Sequence, residues 1–169
     1  MRAVFRRFLA VCVLLTGATQ PALAAAPAVR ITKLVNVSLL SIDVAADAIS
    51  SQNICIFRNA GSGGVPGGYI VTASGSGPSS AFSLAAPSII PRMPYSVLWN
   101  DSIGQTTGTA LTATVANAGH ITTQTASSTC ASAPTSTASL IIEVLASDLQ
   151  AAVGGATYTG TLTLLIAPQ

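Results

Sequence analysis

The stretch that most constrains this chain is residues 157–166. Threonine occupies every second position from Thr157 to Thr163 and alternates with apolar or small residues. The apolar face of this alternation is formed by Tyr158, Gly160, Leu162, Leu164 and Ile166. Because successive side chains of a β-strand point to opposite faces of the sheet, this period of two predicts a half-buried strand. Pro168 is expected to end the strand, since proline lacks the amide proton that a ladder needs.

The rest of the chain also consists of short apolar runs separated by segments rich in glycine, proline and serine. Further strands are predicted at residues 27–40, 53–58, 69–73, 81–84, 95–99 and 140–145. In the first of these, one face is shared by Val29, Ile31, Val35, Val37 and Leu39. It is either one long strand or two segments broken near Lys33 and Leu34. About seven or eight short strands predict an all-β domain, either a β-sandwich or a barrel.

The N-terminal residues have the pattern of a secretory signal peptide. Basic residues precede the apolar run 8–15, and Ala22–Ala24 supplies a cleavage site, so residues 1–24 are predicted to be removed and 25–169 to form one domain. Four of the seven basic residues then remain against five acidic ones. This balance, with no basic cluster, argues against nucleic-acid binding. No later segment is long and apolar enough to span a membrane.

Two of the three cysteines, Cys55 and Cys130, follow the predicted signal peptide. In an exported protein in an oxidising compartment they allow one intramolecular disulfide. The bridge would close a span of 75 residues. The loop-closure entropy that it removes from the unfolded chain corresponds to up to about 4 kcal/mol of stability.

Residues that could carry catalysis or bind a metal are sparse. His120 is the single histidine, and with no cysteine or carboxylate near it in sequence it is predicted to be a solvated loop residue. One histidine and two disulfide-forming cysteines do not make a zinc site, and no nucleophile–base set is visible. No enzymatic activity, metal or cofactor is therefore expected.

Two aromatic and two acidic residues have structural and functional alternatives. Tyr95 and Trp99 share one face of a predicted strand, and they are expected in the core rather than on an exposed sugar-stacking platform. The platform is the alternative hypothesis, in which the protein is a secreted carbohydrate-binding adhesin or coat module. Asp101 is expected in a turn, and Glu143 on the outer surface of its strand.

Five short motifs occur in an order that resembles one bacterial family. They are Asn53-Ile-Cys-Ile-Phe-Arg, Gly68-Tyr-Ile-Val-Thr-Ala-Ser-Gly-Ser-Gly, Ala81-Phe-Ser-Leu, Met93-Pro-Tyr-Ser-Val-Leu-Trp-Asn-Asp and Tyr158-Thr-Gly-Thr-Leu-Thr-Leu. Over roughly residues 37–169, the chain resembles the chaperone–usher pilus subunits of the archaic and CFA/I-like branches, which include the spore coat protein U-like domain. The resemblance implies a non-enzymatic structural, minor or tip subunit of a surface pilus or fimbria.

In this family an immunoglobulin-like β-sandwich lacks its final strand, which another chain supplies. The resemblance implies that a periplasmic chaperone provides that strand first and a neighbouring pilus subunit second, with an outer-membrane usher assembling the fibre at the cell surface. Strand addition of this kind uses main-chain hydrogen bonds for affinity and pockets for alternate side chains for specificity.

The same resemblance implies the residues of the strand-exchange site. The acceptor groove is expected along the apolar face of the last strand, at Tyr158, Leu162, Leu164 and Ile166. The candidate donor residues lie near the N-terminus and are Val29, Ile31 and Val35. The N-terminal segment would serve either as both donor and first strand or as a first strand only.

Overall fold

The computed structural model describes residues 28–39, 43–59 and 67–169. The predicted signal peptide lies outside the described residues. The described chain contains a 3₁₀ turn at Pro78–Ser80, one short helix, α1, at Ala146–Gln150, and a series of strands. The strands are β1 (Val29–Thr32), β2 (Ala48–Arg58), β3 (Gly68–Gly75), β4 (Ser83–Ala86), β5 (Ile89–Pro94), β6 (Ser96–Asn100), β7 (Thr109–Ala110), β8 (Ala116–Ile121), β9 (Ala138–Val144) and β10 (Leu162–Pro168).

The strands form two packed sheets and a separate two-stranded ribbon. The five-stranded sheet has the order β1-β2-β9-β6-β7, the three-stranded sheet has the order β10-β3-β8, and β4 pairs with β5. Each of these strand pairings is antiparallel. The prediction of an all-β fold is confirmed, and the arrangement is consistent with an immunoglobulin-like sandwich. No helix in the described ranges is long and apolar enough to cross a membrane.

The hydrophobic core lies between the inner faces of the two sheets. Alternate residues of β2, β6 and β9 point inward from one sheet, and β3 supplies the facing residues from the other. The largest fully buried apolar side chains of this core are Trp99, Tyr69, Ile54, Ile56, Val71, Val97 and Val144. Burial of one such side chain stabilises the fold by about 1.5–3 kcal/mol relative to leaving it in water.

Tyr95, Trp99 and Glu143 test the predictions made for single residues. Trp99 is 1% exposed and Tyr95, just before β6, is 9% exposed, so both belong to the core. The alternative of an exposed sugar-stacking platform formed by these two residues is therefore wrong. Glu143 lies on the outer face of β9, as expected, and is half-buried there because β2 and β6 flank β9 on both sides.

A second apolar cluster covers the outer face of β2 and joins Cys55, Phe57 and Cys130. Cys55 and Cys130 form the disulfide that the sequence allowed. It fastens the segment 122–137 over β2, and Gln124 holds that segment together from inside. The Gln124 side-chain amide, which is buried, donates hydrogen bonds to the carbonyl oxygens of Ser132 and Pro134, at 2.9 and 2.8 Å.

The first strand is shorter than the sequence pattern predicts, because β1 ends at Thr32. Lys33 has a φ of 68°, a left-handed conformation that interrupts an extended chain. Residues 33–39, here called the strap, follow without forming a strand. The break falls where the two-segment alternative placed it, although the second segment does not pair within the described range.

The last strand is displaced along the chain relative to its prediction. β10 begins at Leu162, not at Thr157, because Thr159 leaves the alternation and forms an isolated bridge with Ala85. β10 ends at Pro168, as the sequence pattern predicted, and the proline is the last residue of the strand. The direction of the β10 backbone groups, described with the candidate site, explains how the strand can include a proline.

Candidate functional site

The sandwich is open along the side where β1 and β10 lie. β1 is the outermost strand of the five-stranded sheet, and β10 is the outermost strand of the three-stranded sheet. Their Cα atoms approach within 8 Å, yet β1 and β10 share no hydrogen-bonded ladder. The buried guanidinium of Arg58 joins the sheets at one end by donating to the carbonyl oxygens of Gly68 and Gln169, at 2.9 and 3.0 Å. Within the described part of the chain, two unpaired strand edges therefore face the same side.

The side chains of β10 divide between this open side and the solvent. Leu162, Leu164 and Ile166 are half-buried and pack against the core. Thr163 and Leu165 point to the other face, where Leu165 is 64% exposed. The structure thus places the three predicted groove residues of β10 on one apolar face that the chain covers only in part.

The backbone N–H and C=O groups of the same three residues also point away from β3. The Gln169 N–H donates to the Gly68 carbonyl at 3.1 Å, which makes this a hydrogen-bonded pair of the β3–β10 ladder. Hydrogen-bonded and non-hydrogen-bonded pairs alternate along antiparallel strands. Even-numbered residues of β10 therefore direct N–H and C=O to the free edge. Pro168 is even-numbered, so its missing amide proton removes no bond to β3, and β10 can include it as its last residue.

The predicted donor residues lie on the opposite wall of the open side. Val29 and Ile31 are half-buried in β1, where they pair with Arg58 and Ile56 of β2. Val35 lies in the strap and is 66% exposed. In this chain, therefore, two of the three residues form part of its own first strand.

The remaining predicted groove residue, Tyr158, precedes β10 rather than lying in it. It is half-buried against the core, and its hydroxyl oxygen accepts a hydrogen bond from the Val153 N–H at 3.1 Å. A cavity of about 240 Å³ adjoins it, lined by Arg92, Met93, Pro94, Asp148, Ala151, Ala152 and Tyr158. Gly160 brings the chain close to β4, where a Cβ would lie 2.9 Å from Leu84 Cδ2.

A polar cluster on the other side of the molecule, in which only Asp101 is exposed, was not predicted. Its members are Tyr69, Trp99, Asp101 and His120. The Tyr69 hydroxyl and the Trp99 Nε1–H donate to Asp101 Oδ1, at 2.5 and 3.1 Å. His120 Nδ1 lies 3.1 Å from both Asp101 carboxylate oxygens. His120 is 7% exposed, so the prediction of a solvated loop histidine is wrong.

The surroundings in the cluster shift the pKa values of the Tyr69 hydroxyl and the Asp101 carboxyl group. Burial raises the pKa of the Tyr69 hydroxyl, and its hydrogen bond to Asp101 raises it further. Burial also acts to raise the pKa of Asp101, but hydrogen bonds from His120, Tyr69 and the Ile121 N–H outweigh it and lower the pKa. The cluster therefore holds a carboxylate in its charged form.

The cluster fastens the two sheets to each other. Trp99 and Asp101 come from β6 and the turn after it, whereas Tyr69 and His120 come from β3 and β8. The His120 ring stacks on Tyr69 with a centroid distance of 5.3 Å. Among the described residues, His120 Nε2 is buried without a hydrogen-bond partner, and no group of three His, Cys, Asp or Glu residues is placed to hold a metal. No sequence pattern indicated the cluster, because its members meet only across the sandwich.

No family model matches this sequence, and no curated protein matches it. One chain of a solved structure is distantly similar, and that structure is described as a chaperone–tip adhesin complex that is vital for the activation of CFA/I fimbriae biogenesis. The identity is 10% and the TM-score is 0.48. The similarity covers 83% of this chain and 42% of the other, so this chain spans less than half of its neighbour's length.

Proposed function

We infer that the protein is a non-enzymatic subunit of a surface pilus or fimbria, and that its open side accepts a β-strand from another polypeptide. One observation carries this proposal. Leu162, Leu164 and Ile166 combine half-buried apolar side chains with backbone groups directed to a free sheet edge. A strand that pairs with β10 would cover both, because main-chain hydrogen bonds and alternate apolar side chains act together in β-augmentation.

The free edge of β10 also defines how far such a strand can pair. The N–H groups of Leu162, Leu164 and Ile166 are available to a partner, whereas Pro168 has none. A donor strand therefore forms its ladder over residues 162–166 and gains no amide bond at the position of the proline. Its apolar residues must occur at every second position to reach the face that these side chains line.

Insertion of a strand requires β1 and β10 to move apart. Neighbouring strands lie about 4.8 Å apart, so a strand bonded to both would need about 9.6 Å between them. The Cα atoms of β1 and β10 now approach within 8 Å. We expect the donor to widen this side while it pairs with β10.

The wider assembly that we propose follows the resemblance of the sequence. Residues 1–24 direct export, and 25–169 form the pilin-like domain. A periplasmic chaperone and then a neighbouring subunit supply the donor strand, and an outer-membrane usher delivers the fibre to the cell surface. Val29 and Ile31 pair with β2 in this chain, and a segment held there is not free to enter another subunit. This favours a subunit that receives a strand, with its N-terminal segment serving as first strand.

The test is a thermal-shift titration with an extended peptide that carries isoleucine or valine at alternate positions. Saturation at about 100 times the Kd should stabilise the protein by about 2.7 kcal/mol. A peptide of the same composition with its apolar residues grouped together should have little effect. Absence of any shift with the alternating peptide would contradict the proposal.

Two variants of β10 locate the binding face. Leu164→Asp places a charge on the open side and should abolish the peptide-induced shift. Leu165→Asp changes the 64% exposed neighbour on the opposite face and should leave the shift intact. An equal loss in both variants would show that the peptide does not bind along the proposed face.

A further inference from the structure

The sequence pattern and the structure disagree at the strap, residues 33–39. Val35 and Val37 continue the alternation of Val29 and Ile31, yet they are 66% and 39% exposed. Apolar side chains at a period of two are typical of a strand with one buried face. The strap therefore has the sequence of a strand without forming one.

β2 has the complementary feature, a stretch of sheet edge that is not paired by any described strand. The Asn59 N–H donates to the Ala28 carbonyl, so odd-numbered residues near the end of β2 direct their backbone groups toward β1. Ile49, Ser51 and Asn53 are odd-numbered and exposed, and they precede the part of β2 that pairs with β1. In the described ranges, no backbone hydrogen bond joins these three residues to the strap.

The Gln52 side chain and the backbone conformation of Lys33 determine the observed position of the strap. The Gln52 side chain accepts a hydrogen bond from the Val35 N–H at 2.9 Å and donates one to the Val35 carbonyl at 3.3 Å. Lys33 adopts a left-handed conformation, which costs energy for a residue other than glycine. Gln52 thus occupies the backbone groups of Val35, while Lys33 turns the chain out of the β1 direction.

We propose that the strap is a built-in strand that closes onto the free edge of β2 and extends β1 to Leu39. The existing register, in which Ile31 faces Ile56, continues without a shift. It creates the hydrogen-bonded pairs Leu34–Asn53, Asn36–Ser51 and Ser38–Ile49. The same register turns Val35 and Val37 to the inner face, in line with Val29 and Ile31, so that their side chains leave water.

Residue-resolved amide hydrogen exchange on the full chain tests the two states of the strap. Lys33→Val disfavours the left-handed conformation, and Gln52→Val removes the side chain that holds Val35. Each substitution should slow exchange at the free edge of β2 by about tenfold or more relative to wild type. The amides that decide the result are those of Ile49, Ser51 and Asn53.

Internal and matched controls accompany these variants. The Ser50 amide faces β9 and should not respond, and Lys33→Gly favours the left-handed conformation and should keep the edge amides fast. Fast edge amides in both valine variants would overturn the proposal, as would edge amides that are already protected in the wild-type protein. If one valine variant does not fold, the other decides. No partner strand is needed, so the outcome is independent of the proposed function.

Discussion

One long side of the sandwich is fastened by polar side chains, and the other is open. On the side of β6 and β8, the Asp101 carboxylate joins Trp99 of one sheet to Tyr69 and His120 of the other. On the side of β1 and β10, the facing apolar residues remain half-buried, and the backbone of β10 is directed outward. The same core thus has one side fastened by polar bonds and one side left open.

The open side does not reflect poor packing of the core as a whole. Ile54, Val71 and Val97 have between 0% and 1% of their surfaces exposed, as in a complete domain. Partial burial is concentrated in β1, β10 and the segments beside them. Incompleteness that is confined to one side of an otherwise dense core is a property that a partner strand can use.

The largest expected effect concerns the disulfide, which acts on the whole chain rather than on either side. Replacing Cys55 and Cys130 together with serine should lower the free energy of unfolding by about 4 kcal/mol, because a 75-residue loop is released in the unfolded state. Urea denaturation measures this. A loss below about 1 kcal/mol would contradict the loop-closure account of this bridge.

The next effect tests the closed part of the core. Ile54→Ala should destabilise the protein by about 3 kcal/mol. The Ile54 side chain is fully buried, so its truncation leaves a cavity that the packed neighbours fill only in part. Chemical denaturation at neutral pH gives the value. A cost near that of a surface substitution would break the contrast between the two sides.

The fastened side should respond to pH through Asp101. Its pKa is lowered in the folded protein, so its contribution to stability is present above the unfolded pKa of about 3.9 and is lost as pH falls through the folded value. Asp101→Asn should cost about 1.5 kcal/mol at neutral pH. Stability curves from pH 2 to 7 should converge for the two proteins at the acid end. Parallel curves would show that the carboxylate charge does not fasten the sheets.

The smallest effect is expected on the open side. Leu164→Ala should cost about 1 kcal/mol, because the side chain is already half in water and little burial is lost. The same denaturation experiment as for Ile54→Ala measures it, so the two values are directly comparable. A cost for Leu164→Ala that equals that of Ile54→Ala would show that the open side is as well packed as the rest.

Local alternation predicted much of the fold and part of the site. The period of two placed Leu162, Leu164 and Ile166 on one face and Val29 and Ile31 on another, since strand geometry depends on neighbours along the chain. Cys55 and Cys130, the two cysteines that follow the predicted signal peptide, form the disulfide that the sequence allowed. The strand faces depend only on neighbouring residues, and the two cysteines have no other cysteine to pair with in the predicted mature chain.

The features that sequence could not predict depend on distant parts of the chain. Asp101 and His120 lie 19 residues apart and meet only because β6 and β8 belong to facing sheets. Pro168 ends β10 as expected, but a sequence does not show that its missing amide proton faces the outer edge of the sheet. Lys33 interrupts an alternation that is otherwise suited to a strand, and the competing interaction is the distant side chain of Gln52.

Pro168 has a further consequence for the behaviour of the protein in solution. An exposed strand edge is a hazard for self-association, because identical edges from two molecules can pair and grow into aggregates. A proline at the free edge interrupts such pairing at one end and leaves β10 with only a short run of amides to offer. Pro168 thus disfavours the pairing of two β10 edges along their full length and so opposes self-association of the protein.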